Sequence, residues 1–413
     1  MNAAARSFEV YRSAPHEGVA TRSARTAGAV ELSLITDRLA FDALEAEWNA
    51  LFARAGRSAH VFQSFNWNWH WANHYLDGAD GGIAGLKLSI IAGYRDGQLI
   101  MLWPLVSERV RGITQIFWMG EPVSQYGDVL IDTIDDASEV LRAGWAFLAQ
   151  HAAADVVRLR RVRADAVIAP LMTEIGARVS DRQAAPYLDL ASAKSFADYE
   201  QRYSPRSRRN RRRLARRLDE QTGMSFKRYK GGAEARALAV TALDLKSKWL
   251  KDRGLVSHAI ADARMARFIA DAADGRDKST NCIVAALECQ GEPAALEVSF
   301  VCKGRLAMHI IVFNLKYEKS GAGVLLLEQS IRDGYGDGLE IYDMLAPGDN
   351  YKLDWSDAAI VVLDWVKPLS AAGSVYARFY LGFRSRAKAA INAMPKSLRR
   401  VMTKGYALSL SIL

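Results

Sequence analysis

The chain of 413 residues is poor in cysteine, has no long apolar run, and lacks acidic residues where its basic ones are densest. Three cysteines, Cys282, Cys289 and Cys302, form an odd set without metal-ligand spacing, which argues against a disulfide framework and against a structural zinc site. They read as small buried residues. No apolar stretch approaches the roughly 18 residues of a membrane span. Even 358–363 is short. Residues 1–29 are rich in Ala, Arg and Ser and lack the apolar core of a secretory signal. Residues 1–30 are therefore expected to be a mobile arm, and the chain to be cytoplasmic. His70 and His74 share a helix face at i, i+4, but no third ligand follows them, so no metal is expected. Trp67, Trp69 and Trp71 beside them could stack on a sugar ring or belong to a core. No RNA-binding motif with interleaved aromatics is present.

The charge that is present is concentrated. Of a net +9, nine arginines (202, 206, 208, 209, 211, 212, 213, 216 and 217) precede the first acid at Asp219. A tail, residues 371–413, adds eight Lys and Arg with no acid, so the remainder is net acidic. Ser204 suits an N-cap, Pro205 the first helical position and Gly223 a helix end, which predicts an arginine helix between them. Only Leu214, Ala215 and Leu218 make an apolar stripe along it. Its density suits phosphate neutralisation, with a solvated face as the competing reading. In the tail, Val375, Tyr376, Phe379, Phe383, Ile391, Met394, Leu398 and Met402 alternate with basic residues at helical spacing. This predicts two amphipathic helices interrupted at Pro395, lying on an anionic membrane surface or packed on a domain.

The most informative stretch is 281–355. Apolar runs at 281–287, 294–301 and 305–315, separated by turns at 290–293 and 303–304, predict three consecutive antiparallel strands. The third runs into Glu318-Lys-Ser-Gly-Ala-Gly323, then a helix from Val324 to Arg332, then a strand ending in Asp343. Glycines at 321 and 323 let a backbone approach closely, and the first amides of the helix have no intrahelical acceptor, so the loop is an anion-site candidate. A plain turn is the alternative.

On these residues the chain resembles the GNAT acyltransferase superfamily, in which a loop written Arg/Gln-x-x-Gly-x-Gly/Ala holds the pyrophosphate of coenzyme A. Glu318 stands where that pattern has Arg or Gln, leaving the contact to backbone amides and to Lys316 or Lys319. A closer resemblance rests on Phe65-x-Trp67 with Trp71, Tyr203-Ser-x-x-x-Arg208-x-Asn210, Lys246 to Trp249 with Arg253-Gly254, and the glycine loop. Tyr342-Asp343, Gly348, Tyr351-Lys352 and Trp355 complete it. In that order they look like the cellulose-biosynthesis-type (CelD/BcsL-like) acetyltransferases, relatives of Fem-type aminoacyltransferases, over about 34–367. The hairpin at 87–106 and the strands and helix after it repeat the logic of the second half, without a glycine loop. The expected fold is therefore α+β, with tandem GNAT-like domains, each a mixed, mainly antiparallel sheet flanked by helices. The expected divisions are a degenerate copy at 31–185, a copy with the acyl-CoA site at 186–370, and a basic amphipathic tail at 371–413.

The resemblance implies acetyl-CoA or another acyl-CoA as cosubstrate and an amine or hydroxyl of a sugar, polysaccharide or small molecule as acceptor. The expected cofactor-binding residues are Ile311, Val312, Phe313, Lys316, Lys319, Ser320, Gly321, Ala322, Gly323 and Val324. Backbone amides from Ile311 to Asn314 are the expected donors to the thioester carbonyl. Asp343 is the first choice for base or acceptor-orienting acid, with a structural carboxylate capping Gly348 or pairing with Lys352 as the other reading. Lys352 would steady an anionic acceptor or complete that pair. Tyr351 would donate to a leaving thiolate or be core. Asp128 follows Tyr126-Gly127 and is assigned to the cleft from the first copy, and His309 ranks below Asp343 as a base. Alternative functions are an aminoacyl-tRNA-dependent transferase, ranked second among enzymes, and a non-catalytic adaptor of a polysaccharide-synthesis machine. Peripheral contact with an anionic membrane through the tail accompanies the first reading.

Overall fold

A computed structural model of the chain describes residues 30–255 and 257–393; for His258 and 383–393 it describes the backbone alone. The arm at 1–29 and the tail beyond 393, with the expected break at Pro395, lie outside the described residues. The described chain divides into two compact units. One contains residues 30–69, 76–187 and 346–381; the other contains 70–75 and 188–345, with the segment from 382 onward.

The first unit contains β1 (Glu31–Ile35), β2 (Lys87–Leu88), β3 (Ile90–Arg95), β4 (Gln98–Trp103), β5 (Leu105–Val110), β6 (Ile113–Trp118), β7 (Leu130–Ile131) and β8 (Val156–Arg163). The body of β9 (Arg178–Asp189) belongs with them. β1, β3, β4 and β7 form one antiparallel sheet in the order β1-β3-β4-β7. The core of this unit gathers Ile91, Met101, Trp103, Trp118, Leu159 and Trp365 under the helix Ala137–His151. Trp67 and Trp71, the stacking candidates, are fully buried, with Trp67 Nε1 donating to Ser124 Oγ at 2.8 Å. They are core residues.

In the second unit, β10 (Ser225–Tyr229), β11 (Cys282–Cys289), β12 (Glu292–Cys302), β13 (Arg305–Phe313) and β14 (Ile341–Asp343) lie in that order. Every pair is antiparallel except β13 with β14. The alternation of apolar strands with two-residue turns dictates the β11-β12-β13 meander, and Gln290 and Lys303 take the positive φ those turns need. Both units are thus mainly antiparallel sheets flanked by helices, the α+β class expected from sequence. The three cysteines are free and buried within β11 and β12.

A last strand, β15 (Ala358–Pro368), is antiparallel to both β8 and β9 and so belongs to the first unit, in the order β9-β15-β8-β6-β5-β2. The segment 346–381 therefore leaves the copy in which sequence order would put it. The tail helix Ala371–Ala393 starts in the same unit, where Ala377, Tyr376 and Tyr380 pack on Val156 and Val366. Packing describes its first turns.

The arginine helix forms as the sequence dictates. It spans Pro205–Thr222, Ser204 Oγ accepts from the Ser207 amide, and Gly223 ends it at φ +63°. His70 Nε2 lies 2.7 Å from the Lys278 carbonyl and His74 Nε2 2.7 Å from Asp271 Oδ2. Each histidine therefore has its own protein partner, and no group of metal ligands occurs among the described residues.

Candidate functional site

β13 is the strand from which the site is built. β12 pairs along its length, but the ladder slips: Val298 faces Ile310 and Ser299 faces Met308, so His309 is an extra residue in a bulge. A bulge bends its strand and re-aims side chains, and His309 is half-buried there with its ring edge-on to Phe300 at 5.7 Å. On the other side β14 pairs only with Arg305, Leu306 and Ala307. From Met308 to Phe313 that edge of β13 has no partner strand among the described residues.

β14 stops because Asp343 turns the chain. Its Oδ1 accepts from the Leu345 amide at 2.9 Å, and Leu345 takes φ +58°. Its Oδ2 accepts from Arg305 Nη1 at 2.8 Å, with side-chain exposures of 1% and 9% for acid and arginine. An acid buried in this way fixes where the two strands part.

After β13 the chain makes a 3₁₀ turn, Leu315–Ser320, that Asn314 caps by accepting from the Lys316 amide. Gly321 then takes φ +75° and starts the helix Ala322–Gly336. Val324 and Leu325 donate to the Gly321 carbonyl, while helical geometry leaves the amides of Ala322 and Gly323 without an intrahelical acceptor. The glycines also have packing reasons. A Cβ at Gly321 would lie 3.0 Å from Leu214 Cδ1 of the arginine helix, and one at Gly323 would lie 3.2 Å from Phe313 Cδ1.

The expected cations divide. Lys316 is exposed but bound to Glu292 Oε2 at 2.9 Å, whereas Lys319 is exposed on the turn. Two further cations, whose roles sequence reasoning did not assign, come from the helix Gly232–Asp252 and the residue after it. Lys246 Nζ donates to the Ile311 carbonyl at 3.2 Å, and Arg253 Nη2 meets Glu318 Oε1 at 2.7 Å. Both sit over the Trp249 ring, at 5.0 and 4.2 Å. The acid that departs from the loop pattern is thereby neutralised by Arg253. The signal available was the Lys246 to Arg253 motif itself, whose spacing gave no hint of its target.

The arginine helix packs on the loop helix through a buried pair, Arg211 Nε to Glu328 Oε1 at 3.0 Å, and through Leu214 and Leu218. Arg212 pairs with Glu200 at 2.8 Å and Arg208 donates to Gln201. Arg206, Arg209, Arg213 and Arg217, at spacings of three and four, occupy the opposite, exposed face. Another missed residue is Glu297, an acid inside the apolar strand β12. It is 2% exposed and accepts from Tyr342 Oη and Ser299 Oγ, both at 2.6 Å. Burial pushes its carboxyl up, against those hydrogen bonds.

Within the second unit the structure brings together His309, Ile311, Val312, Phe313, Lys316, Lys319, Ser320, Gly321, Ala322, Gly323, Val324 and Asp343. Tyr351, Lys352 and Asp128 belong to the first unit. Tyr351 is 42% exposed and Lys352 is buried, both in the short helix Asn350–Trp355. Asp128 is buried, contacting His60 Nε2 at 3.0 Å and accepting from the amides of Val129, Val167 and Ile168.

Residues 205–353 match the family profile described as "Acetyltransferase (GNAT) domain". Among solved structures, FemX is similar with a TM-score of 0.57 at 10% identity, over 85% of this chain and 100% of that one. L-PGS from Bacillus licheniformis gives 0.49 at 13% identity, over 83% and 96%. A tandem GNAT protein from the clavulanic acid biosynthesis pathway gives 0.46 at 14%, over 82% and 99%. At such identities the likeness to FemX concerns the fold. No curated protein matches the chain by sequence.

Both buried acids are expected to cost stability when changed. Asp343→Asn leaves Arg305 buried without its counter-charge, and Asp128→Ala leaves two buried amides and one part-buried amide without an acceptor. Each variant is expected to lose about 3 kcal/mol or more in urea unfolding. Unfolding midpoints equal to wild type would remove the structural role from that residue.

Proposed function

We propose that the protein is an acyltransferase of the cellulose-biosynthesis type, moving an acyl group, acetyl in the first instance, from coenzyme A to an amine or hydroxyl of a sugar, polysaccharide or related small molecule. The observation that carries this reading is the open edge of β13 leading directly into a helix N-terminus. An extended pantetheine arm needs unpaired strand edge beside it, and a pyrophosphate needs amides with no acceptor beyond it. Met308–Phe313 and the amides of Ala322 and Gly323 supply these in sequence. Lys319 adds positive charge at the loop, Arg253 cancels the charge of Glu318, and Lys246 holds the Ile311 carbonyl, fixing the strand's course.

In this reading the thioester arrives already activated, so placement supplies much of the rate. The Asn314 amide already donates to the Ala294 carbonyl at 2.8 Å, so the amides of Ile311 and Phe313, which alternation turns to the open edge, donate to the thioester carbonyl. The proton of the attacking amine or hydroxyl goes to His309, which the bulge sets on the strand that carries the open edge. Asp343, bound to Arg305 and Leu345, acts as a positioning residue that keeps the edge open. Tyr351 remains the proposed donor to the leaving thiolate and Lys352 the proposed partner of an anionic acceptor, while Asp128 holds its own backbone surroundings. The chain would work in the cytoplasm, where acyl-CoA is made, with the tail beyond 393 as its contact to an anionic membrane.

A second reading draws on the exposed row Arg206, Arg209, Arg213 and Arg217. It suits a nucleic acid backbone, as an aminoacyl-tRNA-dependent transferase would require. One experiment separates the two, a thermal-shift panel of acyl-CoAs and tRNA. Acetyl-CoA at 100 times its dissociation constant is expected to add about 2.7 kcal/mol. Val324→Glu places an acid at an exposed first-turn position, where it favours the helix but opposes an anion. It should melt like wild type and lose the acyl-CoA shift. A shift with tRNA alone would favour the second reading; no shift with any of them would favour the adaptor.

The proton-transfer assignment has its own test. His309→Gln is expected to lower kcat on the order of 10²-fold with the acetyl-CoA shift intact. Unchanged kcat would return the role to another group.

A further inference from the structure

The open edge of β13 is not bare. Along an antiparallel ladder, facing residues alternately exchange both of their backbone hydrogen bonds or neither. The Asn314 amide donates to the Ala294 carbonyl at 2.8 Å, so by alternation the N–H and C=O of Ile311, which faces Glu297, turn away from β12 onto that edge. Lys246 reaches the same point from the helix Gly232–Asp252, its Nζ donating to the Ile311 carbonyl at 3.2 Å.

A carbonyl held in this way is lost to strand addition. An extended arm laid on β13 from the glycine-loop end can pair with Phe313, but at Ile311 it finds the backbone acceptor already engaged, so pairing ends there. What the edge presents at Ile311 is a backbone N–H beside an ammonium. Two convergent donors of this kind suit an oxygen that gathers negative charge.

The ammonium is also held from behind. Lys246 Nζ lies 5.0 Å from the centre of the Trp249 ring, and the Arg253 guanidinium lies 4.2 Å from it. Spacings of three and four put these side chains along one helix face. Arg253 in turn meets Glu318 at 2.7 Å, which gives the acid of the loop a partner other than the lysine. A ring face and a carbonyl oxygen both attract a cation, so Lys246 is suited to donate rather than to take a proton. It is half-buried, where its charge acts more strongly than in open water.

We propose that Lys246 is a catalytic residue that, with the Ile311 amide, stabilises the oxyanion formed when the acceptor attacks the thioester. The acceptor's nitrogen or oxygen bonds to the carbonyl carbon while the C=O electron pair moves onto oxygen, where the ammonium and the amide hold it. The pair returns as the carbon–sulfur bond breaks and coenzyme A leaves as the thiolate. The acceptor's proton goes to His309. This assignment rests on the acyl-CoA reading of the β13 edge and adds to it a charged donor from a side chain.

Infrared spectra of acetyl-CoA, isotopically labelled at the thioester carbonyl and bound to the full chain, test it together with the thermal shift. The bound carbonyl stretch is expected below that of free acetyl-CoA. Lys246→Met keeps an apolar stem over Trp249 without the charge, so it should keep the thermal shift and raise the stretch toward the free value. Lys246→Arg, which leaves a cation at the edge, should retain the lowering. Lys246→Gln serves the same comparison as the methionine variant if that variant does not fold. No thermal shift with the wild-type chain would remove the acyl-CoA reading, and the role of Lys246 with it. A thermal shift with an unlowered stretch in wild type, or with equal lowering in wild type and the uncharged variant, would overturn this assignment alone and leave Lys246 as a support of the strand.

Discussion

The parting of β13 from β14 is the constraint on which the second unit's site depends. Two neighbouring parallel strands normally pair to their ends, because each unmade backbone hydrogen bond in a buried place is costly. Here pairing ends after Ala307, and two local devices hold it there. Asp343 accepts from the amide of Leu345 and from Arg305 at the start of β13, closing a turn that leads the chain away. The bulge at His309 bends β13 from the other side. A short ion pair and one extra residue thus convert an ordinary sheet interior into an edge.

The arginine helix gains a structural explanation from the same region. Its dense charge looked uncompensated along the sequence, yet Glu328 and Glu200 supply buried or partly buried partners from distant positions. Leu214 fills the space beside Gly321 that a side chain would need, so glycine at 321 serves both the left-handed turn and the approach of the helix. What remains for a ligand is the outward row of four arginines.

Much of the architecture was legible because it is written locally. The β11-β12-β13 meander follows from apolar runs and turn residues, and the caps Ser204 and Gly223 set the arginine helix within a residue. The glycine loop and its helix were legible for the same reason. Long-range partners were not. Arg305 as the counter-charge of Asp343 and Arg253 as that of Glu318 are pairings across dozens of residues, which periodicity cannot reveal. Nor could spacing foretell that β15 inserts between β8 and β9. Of the two readings open for Trp67 and Trp71, sugar platform or core, full burial selects the core.

The central claim is that the open edge of β13 and the helix N-terminus after it form one continuous acyl-CoA site. Hydrogen–deuterium exchange with and without acetyl-CoA addresses it directly. The account predicts protection of the amides at 309–314 and 321–325, with no change along β8. Protection absent from both segments at saturating acetyl-CoA, or confined to the first unit, would contradict it.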